Sequence, residues 1–350
     1  MYMNVKYRSW KLLPDKHLAR RTWSDPTSLA APRIALVLHF LIMAEREHKI
    51  AIVGAGTIGL SFAALHLAKN ATCTVTIYDT RPDLQAYVKR HLPGYLMEAD
   101  HDTCLARLAF ANDLQSAVKD VEAVQEQGPE NAEFKVSIWP QIEQHAPADA
   151  VFWSSTSGIP ARVQSAQMKD PSRLVVVHPF NPPHIMPLLE IVPSPYTSQA
   201  VLDRTLSYWR ALGRTPVIVK KECTGFVANR LAFALFREAC SLVAQGVVDV
   251  KDLDEIVQAS MGPRWSVAGP FKSYHAGGGE GGLTSFMDKI GGTMQECWEA
   301  SEVDVRKGAI KVGGDWQAEA CRQTEEAYGV VDTAERDEKT RKVLAAVGGA

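Results

Sequence analysis

Between Lys49 and Asp79 the chain carries a glycine pattern that few folds can accommodate. The apolar run Lys49–Val53 leads into Gly54-Ala55-Gly56-Thr57-Ile58-Gly59, which has the form G-x-G-x-x-G. Thr57–Lys69 then reads as a helix, with Ile58, Phe62, Leu65 and Leu67 near helical spacing. Thr74–Asp79 alternates in β-branched residues, as a half-buried strand does, and ends on an acid. Six-residue glycine patterns arise by chance. One that follows a strand, opens a helix and is followed roughly 20 residues on by an acidic residue describes a dinucleotide-binding βαβ unit.

Each position then has a physical task. Gly54 permits the tight turn, Gly56 lets the backbone approach a pyrophosphate, and Gly59 lets the helix pack close to the strand. The free N–H groups at Thr57 and Ile58, together with the helix dipole, favour an anion at that end. Asp79 is placed to accept hydrogen bonds from both hydroxyls of the adenosine ribose, and its charge opposes a 2′-phosphate, so the expected cofactor is NAD. Arg81, two residues on, is the one feature nearby that suits NADP.

Beyond this unit, strand signals recur at Val121–Gln125, Ala150–Ser154, Arg173–Val177, Leu188–Val192 and Pro216–Lys220, mostly separated by helical stretches. The expected fold is α/β, a Rossmann-type doubly wound sheet, mostly parallel, followed by an all-helical C-terminal domain. Strand signals stop at Lys220. Phe226–Gln245 has a helical period and ends at Gly246, and Asp252–Ser260 and segments beyond Gly281 also read as helices. A boundary near Lys221–Thr224 divides residues 49–222 from a helical substrate and dimerisation domain over 223–350. The glycine-rich stretch His275–Gly282 reads as a loop.

Hydrophobic residues are 46 % of the 350-residue chain, charged residues 22 %, and the net charge is −2. Neither a nucleic-acid partner nor a membrane-surface role is indicated, since both call for a basic bias. The six cysteines are scattered, without a C-x-x-C pair or a histidine at ligand spacing, so no metal site is expected. They point to thiols in a reducing compartment, and a cytoplasmic location is expected. Residues 1–48 are basic and acid-poor, and their apolar run Ile34–Met43 is about half the length that spans a bilayer. They read as a poorly ordered extension, or a start codon assigned upstream of Met43, in preference to a targeting segment.

The run Arg173–Val177 ends at His178-Pro179-Phe180-Asn181-Pro182-Pro183-His184. Glu190 lies in the apolar run Leu188–Val192, where a carboxylate is costly unless paired. If the proline-stiffened loop folds back, Glu190 meets His178, fixes its tautomer and raises its basicity, so that the other ring nitrogen can take a hydroxyl proton. Asn181 could orient a substrate oxygen. On composition and spacing alone, a structural pair and a catalytic pair are equally good readings.

These segments, with Ser154-Ser155-Thr156-Ser157 and Gly225-Phe226-Val227-Ala228-Asn229-Arg230, resemble the L-3-hydroxyacyl-CoA dehydrogenase superfamily in order and spacing over roughly Lys49 to Lys289. Within it, Gln125–Asn131, His178–Pro183 and Met261-Gly262-Pro263-Arg264-Trp265 leading to Gly269-Pro270 look most like the lambda-crystallin / L-gulonate 3-dehydrogenase branch. The resemblance implies that His178 is the acid–base group and Glu190 its partner. It implies that Ser157 and Asn229 hydrogen-bond the reacting oxygen, that Asn181 positions it, and that Glu126 lies near the nicotinamide. It also implies a homodimer, to which Leu231, Leu235 and Phe236 could give an apolar face, or they could pack within the subunit. Asn229 reads equally well as a brace for its helix.

Two departures stand out. Ser155 replaces an asparagine usual in the family. The segment between Asp79 and Glu122 is shorter than in acyl-CoA members, where it carries helices that help hold coenzyme A, and Pro93-Gly94 interrupts it. This favours a small free hydroxy acid over a thioester. Arg264 is then a candidate for pairing with the substrate carboxylate, since a guanidinium can bind one bidentately, or it is a surface residue. The expected activity is NAD-dependent interconversion of an L-3-hydroxy acid or 3-hydroxyacyl substrate and its 3-oxo form. The alternatives are an acyl-CoA dehydrogenase of fatty-acid metabolism and a catalytically idle, NADH-binding crystallin-like protein.

Overall fold

The computed structural model describes residues 47–306 and 310–348. The N-terminal extension expected over 1–48 lies outside them except for Glu47 and His48, and His48 already opens the first strand.

The strands are β1 (His48–Val53), β2 (Cys73–Tyr78), β3 (Leu108–Phe110), β4 (Ala123–Glu126), β5 (Val151–Ser154), β6 (Leu174–Pro179), β7 (Leu188–Pro193) and β8 (Thr215–Ile218). They form one sheet in the order β3-β2-β1-β4-β5-β6-β7-β8. The pairs from β3 to β6 are parallel, β7 runs antiparallel to β6, and β8 runs parallel to β7. The reversal at β7 follows from chain length: the connection Phe180–Pro187 is too short for the crossover of a dozen or more residues that a parallel neighbour needs.

Helices cover both faces. The principal ones in this half are α1 (Thr57–Lys69), α2 (Leu84–His91), α3 (Ala132–His145) and α4 (Gln199–Ala211). In β1, Ile50 and Ile52 point into a cluster with Phe62 of α1 and Trp209 of α4, while Ala51 and Val53 point into a second with Trp139 of α3. Two covered faces explain why β4, β5 and β6 are buried along their whole length and read as continuous apolar runs. The chain is thus a Rossmann-type sheet followed by helices. These are α5 (Ala228–Ala244), α6 (Val250–Ala259), α7 (Gly282–Arg306), α8 (Asp315–Tyr328) and α9 (Thr333–Ala346), with short helices at Met261–Val267 and Pro270–Gly277.

The glycine-rich stretch His275–Gly282 is not an open loop. It is the end of the helix Pro270–Gly277, a 3₁₀ turn at Gly279–Gly281 and the start of α7. A Cβ on Gly278 would lie 1.7 Å from the carbonyl oxygen of Gly282, so glycine is required by close backbone approach. Among the described residues no helix is long and apolar enough to cross a membrane.

Candidate active site

At the end of β1 the chain turns through Gly54, whose φ of +106° lies in the left-handed region open to glycine. A Cβ there would meet the backbone of Gln127 at 2.9 Å, and one on Gly59 would lie 2.0 Å from the carbonyl oxygen of Gly54. Gly56 faces open space and caps α1 without a side-chain hydrogen bond, so the first N–H groups of the helix have no cap among the described residues. This is a cradle for an anion, and it fits a dinucleotide pyrophosphate.

Asp79 closes the adenosine end. Its Oδ2 accepts from the Ala55 N–H at 2.7 Å, and its Oδ1 accepts from the Arg81 N–H at 2.9 Å and from Arg81 Nε at 3.3 Å. Burial pushes the Asp79 carboxyl up, but these hydrogen bonds and the Arg81 charge outweigh it and hold its pKa below the usual value. A cavity of about 600 Å³ adjoins it, walled by Tyr78, Phe110 and the Arg81–Ala86 turn. The Arg81 guanidinium lies 3.8 Å from the centre of the Tyr87 ring. Asp79 thus holds its Nε and the Tyr87 ring covers one of its faces.

The second centre lies where β6 and β7 reverse. His178 and Glu190 are register partners in this pair, and His178 Nδ1 lies 2.8 Å from Glu190 Oε2. His178 is 5 % exposed and Glu190 2 % exposed. The carboxylate can only accept, so Nδ1 carries the proton and Nε2 carries the lone pair. Glu190 Oε1 in turn accepts from the N–H groups of Val227 at 2.8 Å and Ala228 at 3.1 Å, at the start of α5. Burial pushes the Glu190 carboxyl up, but hydrogen bonds from His178, Ala228 and Val227 outweigh it and hold its pKa below the ordinary 4.5.

The turn that delivers those two N–H groups has positive φ at Gly225 (75°) and at Phe226 (51°). A non-glycine residue there is strained and needs support from its surroundings. The buried Phe226 ring, 5.1 Å from the His178 ring between centroids, supplies it.

His178, Ser157, Asn181 and Asn229 line a common cavity of about 430 Å³, which Ile58 of the glycine motif also lines. Nε2 of His178 has no hydrogen-bond partner among the described residues, and neither has the Asn229 side chain. The cavity therefore offers a basic nitrogen beside a hydroxyl and two amides, which is what removing a proton from a substrate hydroxyl needs.

Two expected site residues lie elsewhere. Glu126 is fully buried, and Lys135 Nζ lies 2.9 and 2.8 Å from its two oxygens. Its Oε1 also accepts from the Gly128 N–H at 2.6 Å. This carboxylate does not line the cavity; it anchors the turn that does. Arg264 is exposed on the short helix Met261–Val267, its side chain makes no hydrogen bond or ion pair among the described residues, and it is not part of the cavity wall.

The acid that does line the cavity is Glu130, which the residue patterns had not singled out. Its Oε1 accepts from Thr156 Oγ1 at 2.6 Å, from the N–H groups of Ser157 and Gly158 at 3.0 Å each, and from Ser157 Oγ at 3.3 Å. Glu130 thereby ties the loop after β4 to the loop after β5. Ser155, where the family has asparagine, accepts from Gln125 Nε2 at 3.4 Å. Gln125 is held from behind by His66 Nε2 at 2.8 Å, and burial lowers the His66 pKa to about 4. The smaller side chain thus remains tied to the core.

Comparison with known proteins follows the same division of the chain. Residues 49–223 match the family model of the 3-hydroxyacyl-CoA dehydrogenase NAD-binding domain, and residues 225–310 match that of the 3-hydroxyacyl-CoA dehydrogenase C-terminal domain. An L-carnitine dehydrogenase of Streptomyces griseus subsp. griseus is 34 % identical over 317 residues, covering 87 % of this chain and 91 % of that protein. A 3-hydroxyacyl-CoA dehydrogenase of Gibberella moniliformis is 34 % identical over 265 residues, covering 73 % and 81 %. Among solved structures, an NAD-dependent 5-formyl-3-hydroxy-2-methylpyridine 4-carboxylic acid 5-dehydrogenase superposes with a TM-score of 0.66 at 26 % identity, over 87 % of this chain and 99 % of that one.

Proposed function

Because the chain belongs to the 3-hydroxyacyl-CoA dehydrogenase family, as an NAD-dependent oxidoreductase acting on CH–OH groups, we propose that His178 and Glu190 are its acid–base pair. The observation that carries this is the 2.8 Å contact between His178 Nδ1 and Glu190 Oε2, which leaves Nε2 on the cavity wall without a partner among the described residues.

When bound, NAD supplies the hydride acceptor. Gly54, Gly56, Thr57, Ile58 and Gly59 would hold its pyrophosphate, and Asp79 its adenosine ribose. His178 Nε2 takes the proton of the substrate hydroxyl in oxidation and returns it in reduction. Glu190 stabilises the imidazolium that forms and keeps the ring from turning. Ser157 and Asn229 hydrogen-bond the reacting oxygen, and Asn181 orients the substrate.

We favour a small free L-3-hydroxy acid as substrate. Support comes from the shortness of the segment between Asp79 and Glu122, where acyl-CoA members of the family hold coenzyme A, and from relatives named L-carnitine dehydrogenase. The resemblance to the L-gulonate 3-dehydrogenase branch agrees with a free acid without fixing which one. The second reading, an acyl-CoA substrate, draws on the printed name of the Gibberella relative. Turnover of L-carnitine, L-gulonate and 3-hydroxybutyryl-CoA, compared side by side with NAD, tests the choice. Exclusive activity on the thioester refutes the free-acid reading.

We further propose a homodimer formed through the helical domain, with its boundary to the sheet domain near Lys221–Thr224. Leu231, Phe233 and Phe236 of α5 are exposed and apolar in the single chain, which suits an interface. A monomer by light scattering at micromolar concentration would contradict it.

A further inference from the structure

A line of buried polar side chains crosses the aromatic core and ends on the wall of the cavity that holds His178. Tyr208 of α4, His66 of α1 and Gln125 of β4 are all buried. The Tyr208 hydroxyl lies 2.7 Å from His66 Nδ1, and His66 Nε2 lies 2.8 Å from Gln125 Oε1. Gln125 Nε2 donates to Ser155 Oγ at 3.4 Å, and Gln127 Nε2 donates to the same oxygen at 3.5 Å. Ser155 lines the cavity.

The line has one direction. An amide oxygen only accepts, so His66 Nε2 carries a proton. Burial lowers the His66 pKa to about 4, so the ring is neutral, holds that single proton, and accepts from Tyr208 at Nδ1. With its oxygen held by His66, Gln125 turns its NH2 to Ser155. The Ser155 oxygen then accepts twice, and its own hydrogen has no acceptor among the described residues. What remains to this hydroxyl is to donate to a ligand in the cavity.

Packing alone does not call for an imidazole here. His66 is stacked or tilted against the rings of Phe62, Trp153, Tyr208 and Trp209. An apolar side chain of similar size would avoid the cost of burying a polar one among them.

We propose that His66 is a positioning residue: through Gln125 it fixes Ser155 as a hydrogen-bond donor to a carbonyl-type oxygen bound in the cavity. His66 itself touches no ligand. Two oxygens have this chemistry, the amide oxygen of the nicotinamide and an acyl oxygen of the substrate. Both suit the place, because β4 and β5 lie in the sheet between β1, which carries the glycine cradle, and β6, which carries His178. The proposal rests on the reading of this cavity as the catalytic one.

A double-mutant cycle tests it. His66→Phe keeps a ring and removes both nitrogens, and Ser155→Ala removes the donor. NADH affinity by fluorescence, and KM and kcat for the preferred substrate, are measured for wild type, both single variants and the double variant. We expect each single variant to weaken binding about 3- to 10-fold, as loss of one neutral hydrogen bond implies. The double variant should bind no more weakly than Ser155→Ala alone, because His66 acts through Ser155. Weaker NADH binding assigns the acceptor to the nicotinamide amide. A raised KM with unchanged NADH affinity assigns it to the substrate. Losses that multiply in the double variant, or no loss in Ser155→Ala, overturn the proposal.

His66→Gln separates positioning from packing. Its amide can donate to Gln125 and accept from Tyr208, so binding should return to within about twofold of wild type even where the urea midpoint does not. Binding as weak as in His66→Phe contradicts the proposal. If His66→Phe fails to fold, the same cycle with Gln125→Met decides. Near-normal turnover in His178→Gln overturns instead the reading of the cavity on which the proposal rests.

Discussion

His178 and Glu190 stand opposite each other in the antiparallel β6–β7 pair, and the carboxylate that holds the imidazole is itself held by the first N–H groups of α5. One carboxylate thus links the acid–base group in the sheet to the first helix of the following domain. Orientation of the ring and docking of α5 are parts of a single hydrogen-bonded unit.

Replacing Glu190 with Gln should therefore act on both. The amide loses the charge that stabilises the imidazolium, and turnover should fall about 100-fold or more. NADH affinity, measured by fluorescence, should change by less than about threefold, because the glycine cradle is untouched. A variant with near-normal kcat would show that Glu190 is structural only.

Asp79 should set cofactor choice. Wild type is expected to prefer NAD strongly over NADP, since the carboxylate opposes the 2′-phosphate and Arg81 is engaged by Asp79 and Tyr87. Asp79→Asn removes the charge and releases Arg81, so the ratio of kcat/KM for NAD to that for NADP should drop by at least about 10-fold. An unchanged ratio would count against the ribose assignment.

The buried Glu126–Lys135 pair should matter for stability rather than chemistry. Both side chains are almost fully removed from water, and their charged atoms are 2.8 Å apart. Lys135→Met strands a carboxylate in the core and should cost about 3–5 kcal/mol in urea unfolding, whereas the double change Glu126→Gln with Lys135→Met should recover much of that loss. A Lys135→Met protein as stable as wild type would contradict the buried pairing.

Stability should also fall as pH drops from about 6.5 towards 4. Burial lowers the pKa of both His66 and His184 from 6.5 to about 4. In that window the unfolded chain takes up protons that the folded chain refuses, so acid favours unfolding; above 6.5 these two groups contribute no slope. Urea midpoints taken across the window should decline, and His184→Asn should flatten part of the decline. Glu190, with its lowered pKa, adds stability above 4.5 that is lost only in stronger acid. A wild-type midpoint that stays flat down to pH 4.5 would contradict the lowered pKa of these two histidines.

Much of this architecture was legible in the sequence because its causes are local. A strand covered on both faces must be apolar throughout, which exposed β1, β5 and β6, and a glycine that must admit a backbone oxygen at 2.0 Å marks itself at Gly59. β3 has only three residues at the edge of the sheet, too few to show a period. The glycines from Gly277 to Gly282 looked like loop residues, because the local sequence does not distinguish a flexible glycine from one wedged between two helices. Glu126 and Glu130 show the limit most clearly. They lie four positions apart around the same turn, and only the third dimension shows that one is closed off by Lys135 while the other faces the cavity. The exposed position of Arg264 likewise depends on how the helical domain packs, which no spacing encodes.

The central claim is that His178 Nε2 exchanges the proton of the reacting hydroxyl, and His178→Gln tests it most directly. NADH affinity and turnover of the preferred hydroxy acid would be measured in the same preparation. The account predicts NADH binding within about threefold of wild type and turnover reduced by roughly 100- to 10,000-fold, the range for removing a positioned general base. Near-normal turnover with intact NADH binding would contradict it and place the acid–base group elsewhere in the cavity.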